Sequence, residues 1–139
     1  MVTLVVDTGK NIVGIYTVEN RTYISYMDDA IPEAIRRIQD ADELVTYNGK
    51  WYDLLELGKF AGLENDLPIK GVHRDMRSIC WSDDIYGSSL ESTYYMNFSS
   101  CKNFLSTHEG SNERDVYMTF KLWELWKQRR LKIIDGHAV

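Results

Sequence analysis

The sequence lacks the features of membrane-spanning, secreted and zinc-binding proteins. It contains no run of 18 apolar residues, so no transmembrane span is expected. The stretch from Met1 to Val6 has neither a basic leader nor a long apolar region, so no signal peptide is expected. The two cysteines, Cys80 and Cys101, do not have the spacing of metal ligands. We therefore expect a reduced, cytoplasmic protein that does not associate with membranes.

An excess of positive charge is also missing. The chain has 139 residues and a formal net charge of -5, which argues against binding to nucleic acid by charge alone. The negative net charge does not exclude an enzyme that binds phosphate groups through a divalent metal ion. The length fits one domain over residues 1–139, and the 44% hydrophobic content is enough for a core.

The order of the predicted elements indicates an α/β domain with a mixed sheet. Three strands joined by short loops predict an antiparallel meander, and a strand reached through a helix adds a parallel neighbour. The strands are expected near residues 2–7, 12–18, 22–26 and 43–47, with a short strand beginning at Val72. Helices are expected at Ile31 to Asp40, roughly Lys50 to Ala61, Met76 to Trp81, Ser88 toward Met96, and about Asn112 to Arg130, with a loop at 99–110.

The segment from Leu44 to Asp53 predicts an apolar strand, an Asn-Gly turn and the first turn of a helix. Gly49 is expected to accept a positive φ, and Asn48 to cap the helix. Asp53 shares a helix face with Leu57, and a carboxylate beside a core-facing stripe is costly unless something positive meets it. Asp53 is therefore either an ordinary first-turn acid turned toward solvent or part of a cation site.

Three carboxylates stand at the ends of predicted elements. Asp7 follows the first strand, whereas Asp53 and Asp115 lie in the first turns of a middle and a final helix. Hard divalent ions such as Mg²⁺ bind carboxylates together with water and substrate phosphate. Two such ions can activate a water and stabilise the leaving oxygen of a phosphodiester. Three convergent aspartates would hold such ions weakly.

The segment Tyr47-Asn48-Gly49-Lys50-Trp51-Tyr52-Asp53 resembles the Asn-Gly-x-x-Phe-Asp motif of the DEDD 3′–5′ exonuclease superfamily. Val5-Val6-Asp7-Thr8 resembles the first motif of that superfamily, and Glu113-Arg114-Asp115-Val116 resembles its last. The resemblance covers nearly the whole chain. The Ser89-Leu90 helix also falls where the family often carries a Ser-Leu helix.

This resemblance implies a ribonuclease H-like fold and a metal-dependent 3′–5′ exonuclease or related nuclease. Asp7, Asp53 and Asp115 would be the catalytic residues and would hold Mg²⁺ or Mn²⁺. The substrate would be DNA or RNA with a single-stranded 3′ end, and a replication or repair protein partner is left open. Trp51 would either stack on a terminal base or pack at the core or a strand edge, and Asn48 is a second candidate for contact with substrate. Small members of this kind are often encoded by bacteriophages, so host cytoplasm is the expected location in that case.

Two departures from the family motifs leave a second interpretation open. The first motif, Asp-x-Glu, has Gly9 in place of its glutamate, and Ser111 and Gly110 occupy the positions of the usual Tyr or His general base. His108, seven residues before Asp115, is the alternative candidate base or else a solvated loop histidine. The chain could therefore be a catalytically degenerate domain that keeps the fold and binds protein or nucleic acid.

Overall fold

The computed structural model describes residues 1–81, 89–98 and 108–132, with side chains of the last helix described from residue 110 onward. A five-stranded sheet in the order β3-β2-β1-β4-β5 forms its centre. The strands are β1 (Thr3–Gly9), β2 (Ile12–Thr17), β3 (Thr22–Met27), β4 (Glu43–Thr46) and β5 (Val72–Asp75). The first three pair antiparallel, whereas β4 pairs parallel with both β1 and β5. The expected mixed sheet is confirmed.

Strand β1 lies in the middle of the sheet, as its uninterrupted apolar run predicts. Successive residues of a strand point to opposite faces, so Leu4 and Val6 enter one apolar cluster and Val5 enters another. All three are at most 1% exposed. A strand covered on both faces needs this continuous pattern, because alternate polar residues would be buried on one side.

Helices cover both faces of the sheet. They are α1 (Ile31–Asp40), α2 (Asp53–Phe60), α3 (Met76–Cys80), α4 (Leu90–Phe98) and α5 (His108–Lys127), with a short 3-10 turn at Asp28–Ala30. Helices α1 and α2 bury Ile38 and Leu57 in the cluster that contains Leu4. Helices α3 and α5 bury Met76 and Leu122 in the cluster that contains Val5. The described helices include none that is both long enough and apolar enough to cross a membrane.

The parallel strands β1, β4 and β5 bring their carboxyl ends to one edge of the sheet. Asp7 lies near the end of β1, Thr46 ends β4 and Asp75 ends β5. Side chains from different parts of the chain therefore meet at this edge, which is where open α/β sheets bind their ligands. We call it the carboxyl edge.

Helix α5 begins earlier than its sequence predicts. The expected start was near Asn112, but the helix begins at His108, so Gly110 and Ser111 are helical rather than part of a loop. Weak helix formers occupy this turn, but the Asn112 side chain hydrogen-bonds to β1 and β3, and such tertiary contacts override local propensity. The rest of the predicted loop, residues 99–107, lies outside the described residues.

Helix α2 begins later than predicted, at Asp53 rather than Lys50. The preceding residues form turns, because the Asp75 carboxylate accepts hydrogen bonds from the backbone N–H groups of Asn48 and Lys50. A side chain distant in sequence thus decides where the helix starts.

The packing of α3 predicts an unreactive thiol. Cys80 is 1% exposed, and burial, reinforced by the charge of Asp75, raises the pKa of its thiol to about 12. Because the thiolate is the reactive form, the native Cys101→Ser variant should react with a thiol reagent at pH 8 at least about 100-fold more slowly than the same variant in urea. The measurement is the rate of thiol labelling. Equal rates in the two conditions would contradict the buried position of α3.

Candidate active site

Asp7 projects from the central strand toward the face covered by α5, as Val5 does two residues earlier. The Asn112 side-chain amide donates to the Asp7 backbone carbonyl at 3.0 Å and to its Oδ2 at 3.4 Å. Burial raises the pKa of Asp7 well above its usual range. The charges of Asp53 and Asp115 raise it further, so a proton is bound at Asp7 more readily than at an ordinary surface aspartate.

Asp53 is the most deeply placed of the three predicted aspartates. It begins α2 and is 2% exposed, so the interpretation as an ordinary acid turned toward solvent is wrong. The Thr8 hydroxyl donates to its Oδ1 at 2.6 Å. Burial nevertheless raises the pKa of Asp53 to about 7, against the hydrogen bonds from Thr8, and the charges of Asp75 and Asp115 contribute to the rise.

Asp115 lies one helical turn beyond Asn112 on α5 and is less buried than Asp53. Both Nε and Nη2 of Arg114 lie 3.2 Å from its Oδ1, and the same Nη2 lies 3.0 Å from Oε1 of Glu91 on α4. Burial raises the pKa of Asp115, whereas the guanidinium of Arg114 lowers it. Arg114 thus joins a carboxylate of the candidate site to a glutamate on the neighbouring helix.

The structure brings Asp7, Asp53 and Asp115 within electrostatic reach of one another at the carboxyl edge; we call them the carboxylate cluster. The charges of the other two members raise the pKa of Asp7, and the charge of Asp115 raises that of Asp53. Across residues 1–81, 89–98 and 108–132, no three His, Cys, Asp or Glu side chains are arranged so that they could hold a metal ion. The role of the cluster as a metal site therefore stays a prediction.

The turn between β4 and α2 is held by Asp75. Its carboxylate accepts from the N–H of Asn48 at 2.7 Å, of Lys50 at 3.1 Å and of Arg77 at 3.0 Å. Asp75 is 6% exposed, and its charge acts on Asp53. It thus ties the motif that precedes Asp53 to β5 and α3.

The predicted roles of Asn48 and Gly49 in this turn are wrong in detail. Asn48 adopts the positive φ, 68°, and the residue before α2 is Tyr52, with no side-chain cap. Gly49 is required for a different reason, because a Cβ atom there would overlap the side chain of Thr46. The N–H of Gly49 donates to the Thr46 hydroxyl at 3.1 Å, so backbone and side chain pack closely.

The remaining predicted site residues have different outcomes. Trp51 is 59% exposed, with the Lys50 ammonium 5.2 Å from its ring centroid, so it is not a core residue. Its contact with substrate, like that of Asn48, is still untested. His108 begins α5, so it is not in a loop, and its side chain lies outside the described part of the structure.

Asn112 is a site residue that the sequence did not indicate. Besides donating to Asp7, it accepts a hydrogen bond from the Tyr23 hydroxyl at 2.6 Å, and it is 4% exposed. It lies directly over Gly14, where a Cβ atom would overlap its side chain. A glycine inside a strand is a weak signal of such close approach. Nothing in the sequence indicates that the residue packed over Gly14 is Asn112, which is distant along the chain.

Asp75 is a second site residue that lies outside the motifs identified in the sequence. A signal for Asp75 was present, because it ends a strand parallel to β4, as Asp7 nearly ends β1. His73 lies in β5 rather than in a loop, with Nε2 2.8 Å from the Thr46 hydroxyl. Burial lowers its pKa, which favours the neutral ring.

A mixed sheet covered by helices, with acidic side chains gathered at its carboxyl edge, defines a ribonuclease H-like α/β domain. A family model described as the RNase_H superfamily matches residues 5–134. The chain belongs to this superfamily, and its fold is that of a nuclease-type domain. No curated protein matches the sequence.

The burial of Asp53 predicts a pH-dependent stability. Its folded-state pKa of about 7 lies above the ordinary 3.8, so the folded chain holds a proton that the unfolded chain has lost between these values. Stability should therefore fall as the pH rises from about 5 to 8 in EDTA. Asp53→Asn should raise the free energy of unfolding at pH 8 by a few kcal/mol, at about 1.4 kcal/mol per pKa unit, and much less at pH 5. Urea unfolding at both pH values measures this.

The matched control for this prediction is Asp29→Asn, which replaces an exposed aspartate outside the carboxylate cluster. It should leave the difference in stability between pH 5 and pH 8 as in the unaltered protein. If the Asp53→Asn variant is no more stable than the unaltered protein at pH 8, then the ionised Asp53 carboxylate does not destabilise the fold, and the prediction is wrong.

Proposed function

We propose that the chain is a metal-dependent 3′–5′ exonuclease, or a related nuclease, that hydrolyses phosphodiester bonds of DNA or RNA. The observation that carries the proposal is the carboxylate cluster. Burial raises the pKa of all three aspartates at the carboxyl edge of an RNase H superfamily domain, and the charges of neighbouring aspartates raise those of Asp7 and Asp53 further. Burying like charges together is unfavourable unless a cation meets them, so the arrangement favours a positively charged ligand.

The donor chemistry of the carboxylate cluster fits Mg²⁺ or Mn²⁺, which prefer carboxylate oxygens. Asp7, Asp53 and Asp115 would hold the ion or ions. Arg114 lowers the pKa of Asp7 and of Asp115, yet all three aspartates keep raised pKa values. The ionised form of the cluster is therefore poorly compensated by its neighbours, and a divalent cation that displaced the protons would stabilise it. Gly9 supplies no carboxylate, so we expect weak metal affinity.

Two of the three proposed ligands are positioned by neutral polar neighbours. Thr8 holds Asp53 and Asn112 holds Asp7, which fixes the two carboxylates relative to β1. A bound divalent ion would supply positive charge to the scissile phosphate and lower the pKa of an attacking water. His108 is the proposed base that accepts the proton of this water, and the exposed ring of Trp51 is proposed to stack on the terminal base, with Asn48 nearby.

A catalytically degenerate binding domain is the second candidate. The observation that favours it is the Arg114 side chain, which already contacts Asp115 where a metal ligand is proposed. In addition, Gly9 stands where the family motif has a glutamate, so a carboxylate is missing two residues after Asp7 on the same face of β1. In this alternative the protein binds nucleic acid or a protein partner without cleaving a bond.

Further aspects of the proposal come from the sequence resemblance. These are the DEDD subtype, the preference for a single-stranded 3′ end, the two-metal mechanism, a bacteriophage source and a cytoplasmic location. A replication or repair protein is the class of partner that this resemblance suggests.

The activity test uses 5′-labelled single-stranded DNA and RNA with Mg²⁺ or Mn²⁺. The protein should shorten these strands slowly from the 3′ end, and Asp53→Asn should reduce the rate by roughly 100-fold or more, because the amide keeps the size but loses the charge that binds the ion. Gly9→Glu should bind metal more tightly and cleave faster. Gly9 is not among the positive-φ residues of the described chain, so its backbone conformation does not itself require glycine.

Asp29→Asn is again the control and should cleave at the unaltered rate. If both the unaltered protein and a folded Gly9→Glu variant are inert on every single-stranded and duplex substrate, with either metal, catalysis is excluded. Binding of the same strands without cleavage would then support the degenerate domain.

A further inference from the structure

A cleft of about 330 Å³ lies between the β2–β3 hairpin and α5, and its lining includes none of the three aspartates of the carboxylate cluster. Its lining is mainly aromatic, with one basic and one acidic side chain: Tyr16, Arg21, Tyr23, Glu113, Tyr117 and Phe120. This volume is at the lower end of the range of small-molecule sites, which are typically apolar with a few polar groups. The cleft is therefore large enough for one planar ring system.

We propose that this cleft binds one nucleobase of a single-stranded nucleic acid together with its adjoining phosphate. The inference deepens the proposed function, because it assigns a binding site to the substrate class of that function. Three features carry it, namely the aromatic walls, the two charged side chains and a hydrogen-bonded connection to Asp7.

The aromatic walls are held in fixed positions by their neighbours. Tyr16 and Tyr23 face each other across the β2–β3 pair, and the Tyr16 ring lies 4.7 Å from that of Phe120. Val116, 1% exposed, also lines the cleft, whereas Tyr117 on the next helical position is 43% exposed. Aromatic side chains on two sides of a cleft provide faces on which any base can stack.

The two charged residues match the polar parts of a nucleotide. Arg21, in the hairpin turn, has φ of 56° and an exposed side chain. Its guanidinium offers a planar set of donors suited to a phosphate. Glu113 on α5 is exposed and offers an acceptor for the exocyclic amino group of a base. Together the two side chains match the phosphate and the amino group of one nucleotide.

The cleft is connected to the carboxylate cluster by two hydrogen bonds. The Tyr23 hydroxyl donates to Oδ1 of Asn112 at 2.6 Å, and the Asn112 amide donates to the Asp7 carbonyl at 3.0 Å. Asn112 therefore contacts both Tyr23 in the wall of the cleft and Asp7, a proposed metal ligand. The cleft wall and the carboxylate cluster are thus joined through one residue, and we expect one bound strand to contact both.

The test measures binding in EDTA, so that it does not depend on cleavage. Adenosine and cytidine 5′-monophosphates are titrated by calorimetry and compared with ribose 5-phosphate, which lacks the base. The nucleotides should bind at least about 10-fold more tightly. Tyr117→Ala should weaken nucleotide binding by roughly 5- to 100-fold through the loss of a stacking face, and Tyr117→Phe should restore it. Arg21→Gln should abolish the preference for a nucleotide over its nucleoside.

Tyr95→Ala is the matched control, since Tyr95 is 58% exposed on α4 and does not line the cleft. It should bind nucleotides as the unaltered protein does. Equal binding of nucleotides and ribose 5-phosphate, or unchanged nucleotide binding by folded Tyr117→Ala, overturns the proposal. No nucleotide binding at all also overturns it. Nucleotide binding that is sensitive to Tyr117 but without cleavage would refute the nuclease alone.

Discussion

The burial of like charges at the carboxyl edge is the constraint on which the rest of the site depends. The parallel strands β1 and β5 carry Asp7 and Asp75 to this edge, and α2 begins there with Asp53. The negative charges of neighbouring aspartates make the ionised forms of Asp7 and Asp53 less favourable. A fold that relied on stability alone would place apolar or neutral side chains here. We propose that a positively charged ligand offsets this cost.

The surrounding residues restrain these charges without neutralising them. Thr8 and Asn112 contribute neutral hydrogen-bond donors to Asp53 and Asp7, and backbone N–H groups surround Asp75. Arg114 is the cation in contact with Asp115, but it is shared with Glu91. Neutral donors fix the orientation of a carboxylate without adding a compensating positive charge.

Much of the fold and part of the site could be predicted from the sequence because the signals are local. The apolar run before Asp7 indicated a central strand, and the Asn-Gly motif led to Asp53. The residues that were missed depend on contacts between distant segments. Asn112 reaches Asp7 only because Gly14 leaves room for it, and Asp75 decides where α2 begins. The early start of α5 was missed for the same reason, since local propensity cannot report a tertiary hydrogen bond.

The most direct test of a cation site at the carboxylate cluster is a crystal structure of the protein soaked in Mn²⁺, with data collected at the manganese absorption edge. The account predicts an anomalous peak in contact with carboxylate oxygens of Asp7 and Asp53, with Asp115 turned from Arg114 toward the ion. Crystals of Asp53→Asn treated in the same way should show a weaker peak or none. Full Mn²⁺ occupancy elsewhere on the protein, with no peak at these aspartates, would contradict the central claim.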